Sequence, residues 1–493
     1  MTERGRRIPI TPSRRRLLIA VFATLGVTSA LAVAGAESPV AGHGQAAAAD
    51  SRPNVVVIES DDQTVESMRI MNRVNSLIGA HGATFKNNFV NFSLCCPSRA
   101  TFLTGQYAHN HQVVDNAPPD GGFPKFEPLH GNNNLAVWLQ NAGYSTALIG
   151  KYLSFMKPST VPPGWSDWHA VVEGSEKVYG YTTNDNGIMT QHGQKPTDVL
   201  DDVLTSKAVN YINHTAPQPN PFFLWLTYTA PHVSGPDPNP NPPYDCDGAS
   251  KPAPRNAHAF DTEPLPQPPN FNEADVSDKP AAIRNHPVMN ATQIANTQRH
   301  YRCALESLLA VDKGVQTVFD ALNANGQLAN TLVVFTSDNG FLNGEHRLFL
   351  VKRHIYEESI RVPLEMRGPG IPEGVSVGDL SINADLAPTI VDVANADPGL
   401  LMDGRSLIPV ANRPRIERGR KLLIEEPSFK AIRTKRYMYA EHRTGERELY
   451  DLRDNRFELR SREHALAYAP VRARLAARLH QLENCAGSGC RLH

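Results

Sequence analysis

Four short apolar runs in this chain each lead into residues that can hold a cation or an anion. NVVVI (54–58) runs into Glu59-Ser60-Asp61-Asp62, and STALIG (145–150) into Lys151. FFLWLTY (222–228) precedes Thr229-Ala230-Pro231-His232, and TLVVFT (331–336) precedes Ser337-Asp338-Asn339-Gly340. Asp61, Asp62 and Asp338, with the amide oxygen of Asn339, make an all-oxygen donor set. Such a hard set suits Ca²⁺ or Mg²⁺ better than Zn²⁺. One Asp-Asp or Asp-Asn pair alone is more often a cap or a turn. Two pairs, each directly after a strand-like run, favour the cation site.

A second group of residues lies in NFSLCCPSRATFLTG (91–105), where two of the chain's six cysteines are adjacent. Adjacent cysteines rarely bridge each other, because a disulfide needs separated, correctly aimed Cα atoms. Zinc-type C-x-x-C spacing is missing. Pro97 suits the first turn of a helix and Gly105 its stop, which puts Cys95 just ahead of a helix N-terminus, where the free N–H groups favour an anion. Arg99, one turn on, offers a planar fork to the same anion. No histidine adjoins to activate a thiolate, and a hard cation prefers oxygen, so an oxygen nucleophile fits this position better than sulfur.

The elements that must hold these residues follow from hydrophobic periodicity. The continuous β-branched runs read as buried parallel strands. Leu135, Trp138, Leu139 and Ala142 fall at helical spacing, with asparagines before them and Gly143 after. A longer amphipathic helix is expected from about Thr297 to Leu322. Alternating strands and helices predict an α/β fold: a large, mostly parallel mixed sheet covered by helices on both faces. In such sheets ligands bind beyond the carboxyl ends of the strands, where all the residues above converge. A Pro-, Asn- and Asp-rich stretch at 231–287 reads as a loop insertion shaping the cleft. Beyond residue 412 the pattern changes to short strands at 421–425, 431–434, 437–441 and 448–452, followed by a helix at 465–482. That predicts a small antiparallel-sheet-plus-helix subdomain over 413–493, after a main domain at 50–412.

The chain has 493 residues, 41% hydrophobic and 20% charged, and Lys plus Arg (49) nearly balance Asp plus Glu (50). That balance gives no bulk attraction to nucleic acid. Residues 1–49 differ: Ser13-Arg14-Arg15-Arg16 precedes an apolar run from Leu17 to about Ala34 and an Ala-Gly-rich linker. This reads as an export signal, with a twin-arginine look, or else as an uncleaved membrane anchor. Either way the folded part is expected to begin near Arg52 and to work outside the cytoplasm, secreted, periplasmic or at the envelope. Cys485 and Cys490 enclose a Gly-Ser-rich tip that suits a small disulfide loop in an oxidising compartment, and Cys246 and Cys303 can form a second bridge. Asn91, Asn213 and Asn290 stand in N-x-S/T sequons, although the bacterial look of the signal argues against their use.

Cys95-Cys96-Pro97-Ser98-Arg99, continuing to Leu103-Thr104-Gly105, resembles the sulfatase signature C-x-P-S-R…L-T-G. In that family, part of the alkaline phosphatase superfamily, the cysteine two places before the proline is oxidised to formylglycine, an aldehyde. The resemblance gives that role to Cys95, with Cys96 as the variable position. Similarity to N-acetylglucosamine-6-sulfatases and heparan-sulfate 6-O-endosulfatases extends through Thr104-Gly105-Gln106-Tyr107-Ala108-His109-Asn110-His111, Gly150-Lys151-Tyr152-Leu153 and Val161-Pro162-Pro163-Gly164-Trp165. It continues in Ile355-Tyr356-Glu357, Arg361-Val362-Pro363 and Asp403-Gly404-Arg405-Ser406-Leu407.

The resemblance implies a calcium ion bound by Asp61, Asp62, Asp338 and Asn339 together with residue 95. It implies that Arg99 and Lys151 stabilise the formylglycine hydrate and the sulfate. His232 and Lys352 would contact the sulfate or the leaving oxygen, one of them as proton donor. His346 would face the substrate or be an ordinary surface histidine; His109 and His111 would stand behind the site or be structural. A formylglycine-generating enzyme is the implied maturation partner, and a sulfated carbohydrate or aryl sulfate the implied substrate. Where many sulfatases read Gly-Lys-Trp-His, this chain has Leu153 in place of the histidine, a feature of the glucosamine-6-sulfatase branch that leaves the proton handling open. The readings that compete with a sugar 6-O-sulfatase are a broad arylsulfatase, a phosphonate or phosphodiester hydrolase, and a non-catalytic glycan-binding protein. Without a long basic insertion, exo action is expected over endo.

Overall fold

The computed structural model describes residues 50–174, 176–234 and 246–491. The expected export segment at 1–49 lies outside the described residues, as does part of the 231–287 insertion. Among the described residues no helix is long and apolar enough to cross a membrane.

Ten strands form the large sheet: β1 (Asn54–Ser60), β2 (Ala83–Phe85), β3 (Ser145–Gly150), β4 (Asp167–Glu173), β5 (Thr182–Asp185), β6 (Ile188–Gln191), β7 (Phe222–Thr227), β8 (Thr331–Ser337), β9 (Leu364–Arg367) and β10 (Val375–Val377). Their spatial order is β10-β2-β9-β8-β1-β7-β3-β4-β5-β6. The central run β8-β1-β7-β3-β4 is parallel, and the flanking strands β9 and β5 pair with it antiparallel. This is the mixed, mostly parallel sheet that the apolar runs predict.

Alternation along β1 assigns the two faces. Val55 and Val57 point into a core shared with helices α1 (Cys95–Thr104), α2 (Leu135–Asn141) and α5 (Leu386–Ala394). Val56 and Ile58 point the other way, onto α3 (Leu200–Thr215) and α4 (Ala291–Ala324). All four side chains are fully buried, and each contributes roughly 1.5–3 kcal/mol of transfer free energy. Helix α4 starts earlier than the apolar stripe suggests. Asn290 accepts from the Gln293 backbone N–H (2.9 Å) while the Gln293 side chain accepts from Asn290 N–H (3.0 Å), a capping box that fixes the start.

The C-terminal strands β11 (Lys421–Glu426), β12 (Phe429–Thr434), β13 (Tyr437–His442) and β14 (Arg447–Asp451) form an antiparallel meander. Helix α6 (Ala469–Leu482) covers it through Leu475, Leu479 and Leu482. Its core runs on into Phe89, Tyr107, Ile355, Tyr356 and Ile360 of the main sheet's surroundings. Cys246–Cys303 and Cys485–Cys490 are both bridged, with Cα–Cα separations of 5.8 Å and 5.1 Å. The sequon at Asn91 is fully buried, its amide donating to Leu423 O at 2.9 Å, so that side chain is committed to packing.

Candidate active site

The carboxyl ends of β1, β3, β7 and β8 deliver Asp61, Lys151, His232 and Asp338 to one edge of the sheet. Gly150 makes the Lys151 turn possible: at φ 117° a Cβ would lie 1.9 Å from Thr227 O, a contact no side chain tolerates. Asp62 takes a left-handed backbone (φ 67°), which turns its carboxylate back beside that of Asp61 at a cost of order 1–3 kcal/mol.

Helix α1 begins at Cys95, with Leu94 extended before it (φ −154°, ψ 143°). The sequence reading placed Cys95 just ahead of the helix and Pro97 in its first turn; the structure keeps Pro97 in the first turn and makes Cys95 the first helical residue. Pro97 is the third helical residue, where a missing N–H is still free because the first four have no intrahelical partner. Ser98 N–H opens the ladder on Leu94 O at 2.9 Å, and Gly105 ends it in the left-handed conformation (φ 66°). The adjacent thiols do different things. Cys96 is held in the core, its N–H donating to Asn116 Oδ1 (2.8 Å) and its sulfur accepting from Ser154 N–H (3.2 Å). Cys95 Sγ faces Lys352 Nζ at 3.1 Å, Asp61 Oδ1 at 3.5 Å and Lys151 Nζ at 3.7 Å.

Arg99 sits beneath them, fully buried. Its Nε and Nη2 each stand 3.0 Å from Asp338 Oδ2, and Nη1 is 3.1 Å from Glu59 Oε1 and 2.9 Å from Lys151 O. Lys151 pairs with Asp61, and Lys352 with Asp62. His232 Nδ1–H donates to Val233 O (2.7 Å), which leaves Nε2 toward Asp62 Oδ2 at 3.7 Å.

Burial pushes the Asp61 carboxyl up, but Lys151, His232 and Arg99 outweigh it and hold it well below the usual range. Burial and the charge of Asp61 raise Asp338. Burial, then Asp61, push the Cys95 thiol far up despite the two lysines. Burial also raises Glu59 to about 8, with Arg99 opposing it.

All nine predicted site residues therefore meet: Asp61, Asp62, Cys95, Arg99, Lys151, His232, Asp338, Asn339 and Lys352. The donors fit a hard cation. Asp62 Oδ2 and Asn339 Oδ1 are buried without a hydrogen-bond partner, and the ligand atoms of Asp61, Asp62, Cys95 and His232 lie within 4.8 Å of one another. Buried oxygens left unpaired are costly unless something positive meets them.

Three histidines stand elsewhere. His346 is fully buried, stacked on Tyr356 at 3.9 Å and bonded to Glu273 at 2.6 Å; it is neither at this centre nor on the surface. His111 contacts Thr101 Oγ1 at 2.9 Å, and burial lowers its pKa to about 3. His109 bridges Glu425 and Cys485 O at 2.9 and 2.8 Å. Leu153 lies in the apolar core, so it handles no proton. Glu59 is a site residue the sequence reading passed over, although period-two alternation puts it on the same side of β1 as Val57 and Asp61.

The sulfatase family model matches residues 53–396, and the model for the N-sulphoglucosamine sulphohydrolase C-terminal region matches 344–485. Human N-acetylglucosamine-6-sulfatase is 35% identical over 376 residues, covering 74% of this chain and 65% of that one. An extracellular sulfatase SULF-1 homolog of Drosophila melanogaster is 33% identical over 368 residues, covering 74% of this chain and 32% of its own. This chain thus spans between a third and two thirds of the length of these relatives. A solved structure in complex with its substrate, D-glucosamine-2-N,6-O-disulfate, superposes with a TM-score of 0.73 at 24% identity, covering 88% of this chain and 97% of that one. With the matched region spanning most of the large sheet and every residue of its edge, the chain belongs to the sulfatase family.

Proposed function

We propose that this protein hydrolyses sulfate esters, removing 6-O-sulfate from glucosamine-type sugars by exo action. In this reading Cys95 is oxidised to formylglycine by a maturation enzyme. Calcium is held by Asp61, Asp62, Asp338 and Asn339 with residue 95, and residues 1–49 direct export. The observation that carries the proposal is Cys95 itself: a buried side chain at the start of helix α1 whose sulfur faces the ammonium groups of Lys352 at 3.1 Å and Lys151 at 3.7 Å, with the Asp61 carboxylate at 3.5 Å. An unmodified thiol so placed is a poor nucleophile, while the ammonium groups suit an anionic ester. When present, the formylglycine supplies a hydrated aldehyde oxygen as nucleophile, and calcium polarises that oxygen and the sulfate.

The chain's own residues do the rest. Arg99, anchored on Glu59 and Asp338, holds fixed positive charge under residue 95, where it costs no reorganisation as charge develops on the sulfonyl oxygens. Lys151 and Lys352, paired with Asp61 and Asp62, add two ammonium groups beside residue 95. Lys352 or His232 donates the proton that a sugar alkoxide needs to leave. Lys352 is within 3.1 Å of Cys95 Sγ, whereas His232 is anchored through Nδ1 and presents Nε2. The buried Leu153 takes no part.

The glucosamine assignment rests on the name of the human relative and on the motifs shared with that branch. Two measurements test the proposal together: the mass of the tryptic peptide 87–99, and turnover of N-acetylglucosamine-6-sulfate against an aryl sulfate and a phosphodiester. Loss of the thiol-to-aldehyde mass difference with preference for the sugar sulfate is expected. Two intact thiols in an active enzyme would refute the mechanism, and preference for the phosphodiester would refute the reaction.

A further inference from the structure

Away from the sheet edge, four segments bring a second polar cluster together. The insertion supplies Asn270 and Glu273, the loop after β8 supplies Glu345 and His346, the short helix Glu357–Ile360 supplies Glu358, and the turn beyond β14 supplies Glu458. His346, Glu458 and Asn270 are essentially fully buried. The ligand atoms of His346, Glu358 and Glu458 lie within 4.8 Å of one another. His346 Nδ1–H donates to Glu273 Oε2 at 2.6 Å, which fixes the tautomer and leaves the Nε2 lone pair to the cluster. Asn270 Nδ2 stands 3.3 Å from His346 Nε2 and donates to Glu358 Oε1 at 3.0 Å.

The oxygens do not close among themselves. Glu358 Oε2, Glu458 Oε1 and Asn270 Oδ1 are all buried without a hydrogen-bond partner. Among the described residues the nearby basic groups are engaged with other carboxylates: Arg433 and Arg361 with Glu357, and Lys279 with Glu273 and Asp278. Glu345, Glu358 and Glu458 form no ion pair. Buried carboxylates of this kind need a proton or a cation.

We propose that this cluster is a second metal site, binding one divalent transition cation, zinc by preference, through His346 Nε2 and the carboxylates of Glu358 and Glu458. One imidazole nitrogen with two carboxylates is a borderline donor set, unlike the all-oxygen set at the sheet edge, so the two sites select different ions. Glu273 acts as the carboxylate behind the histidine, as metal-bound imidazoles require. Turning the Asn270 amide over brings its unpartnered oxygen to the same place as a fourth ligand; amide orientation follows the bonding network. Ligands around a tetrahedral zinc with bonds of about 2.1 Å stand roughly 3.5 Å apart, so only a small closing of the glutamates is needed. A cleft of about 620 Å³ lined by Glu345, Glu358 and Phe457 borders the cluster on the Glu358 side. Because Glu458 belongs to the C-terminal subdomain and Asn270 to the insertion, the ion clasps both to the main domain.

The test uses the full matured protein, stripped with a chelator, saturated with calcium and titrated with zinc chloride alone. One zinc retained per chain after desalting, with a raised Tm, is the expected result. Glu458→Gln should lose that zinc. Glu273→Gln, which touches no ion, should weaken zinc binding roughly 10- to 100-fold while leaving calcium binding and sulfate-ester hydrolysis unchanged. Should Glu458→Gln fail to fold, the zinc-edge X-ray absorption spectrum of the wild type decides: one imidazole with oxygen ligands supports the site, and a shell lacking imidazole overturns it. The absence of retained zinc, or binding undiminished in Glu273→Gln, would equally overturn it and leave protonation as the way these carboxylates are neutralised.

Discussion

Two buried carboxylate clusters in this molecule meet the same physical demand in different ways. At the sheet edge Glu59, Asp61, Asp62 and Asp338 face Arg99, Lys151 and Lys352, with pairs such as Arg99–Asp338 at 3.0 Å. In the second cluster Glu345, Glu358 and Glu458 form no ion pair among the described residues, and burial with repulsion from Glu358 lifts Glu345 to about 8. A buried charge must be matched. The matched cluster can lend its cations to an incoming anion, because a cation held by its carboxylates takes over their neutralisation. The unmatched cluster has nothing to lend and can only receive. On the proposed reading, reactivity toward a sulfate ester belongs to the first and structural cation binding to the second.

The widest break in this comparison comes from Cys95→Ala. It removes the only side chain that the first cluster presents as a source of a nucleophile, so hydrolysis of a sugar sulfate should fall by ~10⁴-fold or more. Thermal stability should hold, because a small buried side chain is exchanged for a smaller one. A fall in Tm matching the fall in rate would mean that residue 95 serves packing. Next come Lys352→Met and His232→Gln. Whichever residue donates the proton should lose roughly 10²–10⁴-fold on the sugar sulfate and much less on an aryl sulfate, whose leaving group needs no proton. Equal losses on both substrates for both variants would contradict general-acid catalysis by either residue.

Arg99→Lys sharpens the comparison by turning part of the matched cluster into an unmatched one. A point charge cannot reach Glu59 and Asp338 at once as the guanidinium does at 3.1 and 3.0 Å. The rate should drop by about 10²–10³-fold, and stability by up to about 3–5 kcal/mol if Glu59 stays charged and unpaired. Thermal unfolding at pH 6 and pH 9 separates the terms. Glu59 titrates near 8 in the wild type, and without Arg99 its pKa should rise further, so the variant should lose most at high pH.

The two clusters also differ in how far the sequence discloses them. Asp61-Asp62, Lys151 and Asp338-Asn339 could be found because each follows an apolar run whose period already marks a buried strand, and parallel neighbours put their carboxyl ends on one edge. The start of α1 falls at Cys95 itself and not just after it, because Pro97 marks the first turn without saying which of its positions it fills. Helix α4 was placed too late because its first turns carry polar residues, and the only local mark of the start is the Asn290–Gln293 box. The second cluster was invisible for a different reason. Asn270, His346, Glu358 and Glu458 follow no common strand or helix; the insertion brings Asn270 to His346 and Glu358, and Glu458 arrives only with the docking of the C-terminal sheet. His346 was accordingly read as a substrate or surface residue when it is a buried one.

That docking has its own titratable contact, and it gives the smallest expected effect on catalysis. Glu425 on β11 accepts from His109 Nδ1 at 2.9 Å, and its N–H donates to Asn91 O at 2.8 Å, four residues before Cys95. Burial alone would raise Glu425, yet the bonds from His109 and Lys430 bring it from 4.5 down to about 2. A carboxyl depressed on folding stabilises the fold above its unfolded pKa, and that stability is lost as pH falls from about 4.5 toward 2. The drop corresponds to about 3 kcal/mol at neutral pH. His109 is raised on folding by the same contact, against the effect of its own burial. Its contribution is complete below about 6.5 and fades as pH climbs through the higher folded value. These are two ends of one interaction and count once. Glu425→Gln should therefore lower Tm most between pH 4.5 and 6.5 and lessen the acid-side loss that the wild type shows below pH 4.5. The rate on a sugar sulfate at pH 7 should stay unchanged while the protein remains folded. A rate that falls with an unaltered Tm would show that the C-terminal sheet positions α1 for catalysis and does more than hold it in place.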